Sequence, residues 1–155
     1  MPEVAKRAGV AVGTLYQIYQ ASSGLVEKLF SIEMQRIDEA FRTMLSQSKS
    51  WSDLLDGIEG LLRQQFDIVK SNPALLTLLG ASGLHAELQK ADFENTKKNA
   101  AVLTEKMLKL SDTPIDRFTA ETLSMLICHL WSGVVRLSLL DQDNPPEVYL
   151  AHFKG

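Results

Sequence analysis

The stretch PEVAKRAGVAVGTLYQIYQASSGLVEKLF, residues 2–30, decides the fold expected for this chain. Its pattern predicts two short helices joined by a tight turn, followed at once by the start of a long amphipathic helix. Ala5, Gly9 and Leu15 have the spacing of a helix-turn-helix, because a small residue lets two helices cross closely and a glycine accepts a positive φ at the turn. In that geometry the second helix, near residues 12–19, is the one presented to the major groove of DNA.

The remainder of the chain predicts an all-α fold. Apolar residues recur at spacings of three and four, and strand signals are nearly absent. Ser22 and Ser23 are candidate caps for a helix that runs to about Ser46. Ser50 followed by Asp53 resembles a capping box and predicts another helix start.

Glycine, asparagine and proline mark the later boundaries. Asn72-Pro73 is expected to close the helix that begins near Ser50 and to open a short one. Further along, the sequence predicts a break at 80–83, a long helix to about Leu110, a helix start at 113–116, a helix end at 141–144 and a short final helix from 144–147. We therefore expect two domains, a partial helix-turn-helix head with its connecting helix at 1–46 and a helical domain at 47–155.

Composition narrows the class of protein. The chain has 155 residues, of which 45% are hydrophobic and 23% charged, as in a globular protein. Its formal net charge is −3, so any attraction to nucleic acid must be local. Cys128 is the only cysteine, which excludes an intramolecular disulfide and a cysteine-rich metal site. With no signal peptide and no expected membrane span, the prediction is a soluble cytoplasmic protein.

The helix expected over residues 123–140 is apolar almost all round. A soluble helix of that kind needs two burial partners, one inside the subunit and one outside it. We therefore predict a homodimer interface on this helix; its candidate residues are Leu123, Ile127, Leu130, Gly133, Val134 and Leu137. The alternative is that the helix serves the core alone.

The first thirty residues resemble the DNA-binding head of the TetR family of bacterial transcriptional regulators. VAKRAGVAVGTLYQIY and the following LVEKLF are close to the family's A-x-x-A-G-V-S-x-G-T-L-Y-x-Y-F and its next helix, and SNPALL at 71–76 resembles a segment of its regulatory domain. The resemblance implies a dimer that holds two heads over a palindromic operator in double-stranded DNA. It also implies a small-molecule effector that changes the spacing of the heads and releases the DNA.

Carried onto this sequence, the family's recognition-helix positions fall on Ala11, Val12, Gly13, Thr14, Tyr16 and Gln17. The hydroxyls of Thr14 and Tyr16 would contact phosphates, whereas Val12 and Gln17 would read bases. The chain departs from the family pattern in three places. The family's first helix would lie before Met1, Ala11 replaces a serine, and Gln20-Ala21-Ser22 replaces a Pro-Ser-Lys sequence whose lysine binds phosphate.

Adaptable methionine and aromatic side chains could line a pocket for a small apolar effector. The candidates are Trp51, Phe66, Met107, Met125 and Trp131, and the alternative is that all five belong to an ordinary core. Spacing indicates no metal site, no cofactor site and no catalytic group, because the three histidines lie far apart and no nucleophile elbow or phosphate loop is present.

These patterns together predict a DNA-binding transcriptional regulator, expected to be a repressor, and not an enzyme. The alternative is a truncated dimerisation module that no longer reads DNA and forms mixed dimers with a full-length regulator.

Overall fold

The computed structural model of the chain describes Lys6, Gly9, residues 11–72, residues 86–141 and residues 148–149, with the backbone alone at residues 12, 15–23, 132, 136 and 138–140. Four long helices account for most of these residues: α1 (Val12–Gln47), α2 (Trp51–Ser71), α3 (Ala86–Leu110) and α4 (Arg117–Leu140). The described ranges contain no strand, so the all-α prediction is confirmed. The predicted break at 80–83 and the predicted start at 144–147 lie outside the described residues.

The chain divides into two compact units, Met1–Glu33 and Met34–Gly155. The boundary falls inside α1, earlier in the chain than the expected domain limit at residue 46. In the first unit, the side chains of Leu25, Leu29 and Ile32 are exposed on one face of α1.

The predicted helix start at Ser22 and Ser23 is wrong, because α1 passes through these residues without a break. No proline occurs between Val12 and Gln47, so every backbone N–H in this range can join the helical ladder. Gln20 and Ala21 favour helix, and Gly24 costs only about 1 kcal/mol relative to alanine. Gln20-Ala21-Ser22 stands where the resembling family has Pro-Ser-Lys. This segment therefore lacks both the lysine and the proline that would break the helix.

The second helix begins as predicted. Ser50 is the N-cap of α2, and its hydroxyl accepts a hydrogen bond from the backbone N–H of Asp53 at 3.1 Å. In return, Oδ2 of Asp53 accepts from the backbone N–H groups of Ser50 at 3.0 Å and Lys49 at 2.8 Å. These bonds complete the capping box and satisfy donors that a helix start leaves unpaired. Asn72 closes α2, which also agrees with the prediction.

The boundaries of α4 confirm the predicted start and end as well. Asp116 is its N-cap and accepts from the backbone N–H of Thr119 at 3.0 Å. Asp141 is the C-cap, and the hydroxyl of Tyr149 donates to its carboxylate. Next to the start of α4, Arg117 forms an ion pair with Glu105 of α3 at 2.7 Å, so the end of α3 and the start of α4 are adjacent.

The core of the second unit lies among all four helices. Its buried members come from the last turns of α1 and from α2, α3 and α4: Phe41, Met44, Leu45, Leu54, Ile58, Leu62, Val69, Leu103, Met107 and Val135. The apolar stripe of α2 repeats at three and four residues, which places one face of the helix inward. This core determines which face of α4 remains outside.

Candidate functional site

The predicted turn of the head contains a glycine in the left-handed region. Gly9 has φ +67°, which confirms the role expected for it, and no other glycine in the described residues has a positive φ. Its backbone N–H donates to the carbonyl of Lys6 at 3.3 Å. A side chain at this position would strain the backbone, so glycine is required here.

The helix that follows the turn presents an exposed first turn. Ala11, Gly13 and Thr14 are all exposed, and the first turn of α1 carries no acidic residue. Free N–H groups, the positive end of the helix dipole and a hydroxyl are the groups that bind phosphate at a helix start. The side chains of Val12, Tyr16 and Gln17 lie outside the described residues.

The outer face of α4 carries an apolar stripe that we call the α4 seam: Leu123, Leu126, Leu130, Gly133 and Leu137. The leucines are 39%, 50%, 51% and 50% exposed in that order. Four of the five residues were expected at an interface, and Leu126 was not. The seam contains no charged residue.

Ile127 and Val134, which were also expected at the interface, are half-buried and pack against the core cluster. The inner face of α4 is set by small residues, since Ala120 and Ser124 are both 0% exposed. The Ser124 hydroxyl donates to Sδ of Met107 on α3 at 3.3 Å. Small side chains let α3 and α4 approach closely. Because this face of α4 packs inward, the α4 seam lies on the outer face of the helix.

The five residues expected to line an effector pocket lie in or beside the core. Phe66 and Met107 are buried, Met125 is half-buried, and Trp51 and Trp131 pack against the core cluster. The indole Nε1 of Trp131 is buried without a hydrogen-bond partner, as is the amide oxygen Oδ1 of Asn99 on α3. An unpaired buried polar atom costs about 1–3 kcal/mol of stability. A hydrogen-bond partner for either atom would therefore stabilise the packing of α3 and α4.

Burial shifts the pKa values of two titratable groups on α3 and α4, Asp92 and Cys128. Burial raises the pKa of Asp92, and the nearby charge of His129 opposes that rise. Burial also raises the pKa of the Cys128 thiol to about 12, which keeps it protonated and unreactive at neutral pH. Among the described side chains, no three metal-binding groups gather into a cluster.

One part of α4, Arg117–Val135, is long and apolar enough to cross a membrane by length and composition. No such segment was expected from the sequence; a single helix of this kind is weak evidence for a membrane span, so that expectation stays a prediction. The core helix of a soluble protein meets the same criterion, but such a helix is mostly buried, whereas only 18% of this segment is buried. The cytoplasmic location stays a prediction.

Comparison with known proteins adds no relative. No family model matches the chain, and neither a curated protein nor a solved structure matches it.

Proposed function

We propose that this protein is a TetR-type transcriptional regulator, in which a head at the N-terminus binds operator DNA and the helical body dimerises. One observation carries the proposal. Gly9 takes the positive φ that a helix-turn-helix turn requires, and the exposed start of α1 follows it at the position expected for a recognition helix. The segment AGVAVGTLY in the sequence supplies the same motif independently.

The body supports the dimeric part of the proposal. The α4 seam leaves four leucines exposed on one face, and a helix with such a face is stabilised by a second subunit. A homodimer would place two heads side by side, which matches the two half-sites of a palindromic operator.

A small apolar effector would act by separating helices of the body. The unpaired Nε1 of Trp131 offers a hydrogen-bond donor, and the thioether of Met107 offers an adaptable apolar wall. A ligand that binds only one arrangement of α3 and α4 would shift the population of that arrangement.

The direct test is an electrophoretic mobility shift with the intergenic DNA that flanks the coding sequence. The expected result is a specific complex that unlabelled flanking DNA competes away and random DNA does not. Tyr16→Phe should weaken the complex by removing a hydroxyl that donates to a phosphate, without changing the secondary structure. Equal affinity for flanking and random DNA over a range of salt concentrations would reject the proposal.

A dimerisation module without DNA-binding activity is the second candidate. The unbroken α1 favours it, because a head of this type needs a turn after the recognition helix, where α1 instead continues through Gln20 and Ser22. Ser22 also stands where the resembling family has a phosphate-binding lysine. The module predicts no shift with any DNA, together with mixed dimers when the chain is co-expressed with a tagged full-length regulator. A shift by the homodimer alone would exclude it.

A further inference from the structure

Three polar side chains follow one another on the buried side of α3. Asp92, Thr96 and Asn99, which we call the α3 polar row, are spaced at four and three residues, so they share one face of the helix over about 10 Å. Thr96 and Asn99 are each 8% exposed, and Asp92 is half-buried. Buried apolar residues flank the row on the same helix, Leu88 before it and Leu103 after it. Polar groups at such positions need partners, because burial removes them from water.

The indole of Trp131 on α4 lies at the level of this row. Among the described helices, α3 packs mainly against α4, and the two run antiparallel because the end of α3 is adjacent to the start of α4. The Ser124 hydroxyl meets Sδ of Met107 at 3.3 Å. From that contact, Asn99 lies about 12 Å back along α3 and Trp131 about 10 Å onward along α4. Asn99 and Trp131 therefore stand at about the same height in the helix pair.

Two buried atoms at this height have complementary hydrogen-bonding needs. Oδ1 of Asn99 and Nε1 of Trp131 are both buried without a partner among the described residues. The first atom can only accept a hydrogen bond, and the second can only donate one. A group that both donates and accepts, such as a hydroxyl or an amide, would satisfy them together. A water molecule can also do this, so these two atoms alone do not select a ligand.

The carboxylate of Asp92 distinguishes a ligand from water, because it requires an opposite charge. Burial raises the pKa of Asp92, and the charge of the exposed His129 only opposes that rise. The charged carboxylate therefore lowers the stability of the folded protein. A ligand ammonium group would supply the opposite charge and a strong hydrogen bond. Side chains that are perturbed by burial in this way are concentrated at functional sites.

We propose that the α3 polar row and Trp131 bind a small organic amine whose apolar body ends in a hydroxyl or an amide. The ammonium group pairs with Asp92. The group at the other end accepts from Nε1 of Trp131 and donates to Oδ1 of Asn99. The row is about 10 Å long, which limits the distance between the two ends of the ligand. This amine would be the effector of the regulator, so the site rests on the proposed function and names the chemical class of its effector.

Tyramine is the probe, because it carries an amine and a phenol hydroxyl at opposite ends of an apolar ring. Phenethylamine lacks the hydroxyl, and para-hydroxyphenylacetamide keeps the hydroxyl but has no charge. The isotope-labelled full chain is titrated, and the indole N–H signals of its two tryptophans, Trp51 and Trp131, are followed by nuclear magnetic resonance. Trp51→Phe assigns the two signals. We expect a saturable shift of the Trp131 signal with tyramine in the millimolar range or below, and weaker binding of both analogues.

Substitutions on α3 test each end of the ligand separately. Asp92→Asn should weaken tyramine binding at least tenfold without destabilising the protein at pH 7, so lost binding would not reflect lost folding. Glu94→Gln removes an equal charge from the exposed, Lys97-paired position of α3 and is the matched control, which should bind as the parent does. Asn99→Leu should weaken tyramine binding and leave phenethylamine binding unchanged, because only tyramine has the hydroxyl.

Several results would overturn the proposed site. These are the absence of a shift at Trp131, equal affinity for tyramine and the uncharged analogue, and equal affinity of Asp92→Asn and the parent for tyramine. Binding is measured in the absence of DNA. Loss of operator binding with the tyramine results intact would therefore reject only the proposed regulator, whereas operator binding without tyramine binding would reject only this site.

Discussion

The side chain of Met44 occupies the space that a Cβ on Gly57 would need. Its Cγ lies 2.6 Å and its Sδ 2.8 Å from the ideal position of that Cβ. Met44 is only 8% exposed and belongs to the core cluster, so the end of α1 and the first half of α2 meet at this point with no spare room. Ser48 follows one turn later, and its buried hydroxyl donates to the Met44 carbonyl at 2.9 Å. The glycine is therefore part of the packing between two helices.

Gly57→Ala should destabilise the protein although alanine is the better helix former. The gain in helix propensity is about 1 kcal/mol, whereas a forced shift in a packed core costs about 1–3 kcal/mol. Gly60→Ala, three residues further along α2, meets no atom and should raise the free energy of unfolding by about 0.5–1 kcal/mol. Urea denaturation of both variants, with equal m-values, measures the difference. A stabilised Gly57→Ala would show that Met44 moves aside freely.

The capping box of α2 should make stability depend on acid pH. Hydrogen bonds from the backbone of Lys49 and from Ser50 hold the pKa of Asp53 below its ordinary value of 3.8. Because the pKa is lower in the folded state, this contribution is complete above the unfolded value and is lost as pH falls through the folded one. Asp53→Asn should therefore be less stable than the parent at pH 6, and the two should converge in acid. Parallel unfolding curves across the whole pH range would contradict this role.

Removal of the Ser50 hydroxyl tests the hydrogen bond of the N-cap while the Asp53 carboxylate stays in place. Ser50→Ala deletes the acceptor for the Asp53 backbone N–H and should cost about 1 kcal/mol at pH 6, and the part that comes from this bond should persist in acid. Ser50→Thr keeps the acceptor and serves as the control. Thermal unfolding at pH 6 and pH 3 separates the two contributions, since only the effect of Asp53 fades with acid. A Ser50→Ala variant as stable as Ser50→Thr would mean that water replaces the hydroxyl.

The half-buried Asp92 should lower stability at neutral pH. Burial raises its pKa above the ordinary value of 3.8, so folding is opposed once the carboxyl is charged, and His129 relieves only part of this cost. A raised folded pKa means that stability falls as pH rises through that value. Asp92→Asn should therefore stabilise the protein at pH 7 and have little effect at pH 3. Loss of stability at pH 7 would show that the contact with His129 outweighs the burial.

The sequence predicted the body of this protein better than its head. Ser50, Asn72 and Asp116 mark helix ends through local hydrogen bonds, which depend on neighbouring residues and can be read from the chain. The turn at Gly9 is equally local. The predicted break at Ser22 and Ser23 failed because a cap residue is only a preference, and no proline nearby enforced a stop.

The sequence could not predict which face of α4 lies outside. A helix that is apolar almost all round has no polar face to fix its rotation, so stripes through Ile127 and Val134 or through Leu126 and Gly133 were equally compatible with the sequence. The choice depends on α3, where Met107 meets the small residue Ser124. Contacts of this kind join residues far apart in the chain, and the helical period alone does not reveal them.

If the turn at Gly9 and the start of α1 bind DNA, a hydroxyl on the helix and a charge before the turn should affect binding differently. Thr14→Val removes an exposed hydroxyl with little change of shape and should weaken operator binding by about 1 kcal/mol per head, with an unchanged dependence on salt. Thr14→Ser keeps the hydroxyl and is the control. Lys6→Gln should instead flatten the plot of log affinity against log salt, by about 0.9 for each phosphate that the lysine no longer neutralises, because fewer counterions are released. Fluorescence anisotropy with flanking DNA at several salt concentrations measures both quantities. If Thr14→Val and Lys6→Gln both bind as the parent does, neither residue contacts a phosphate.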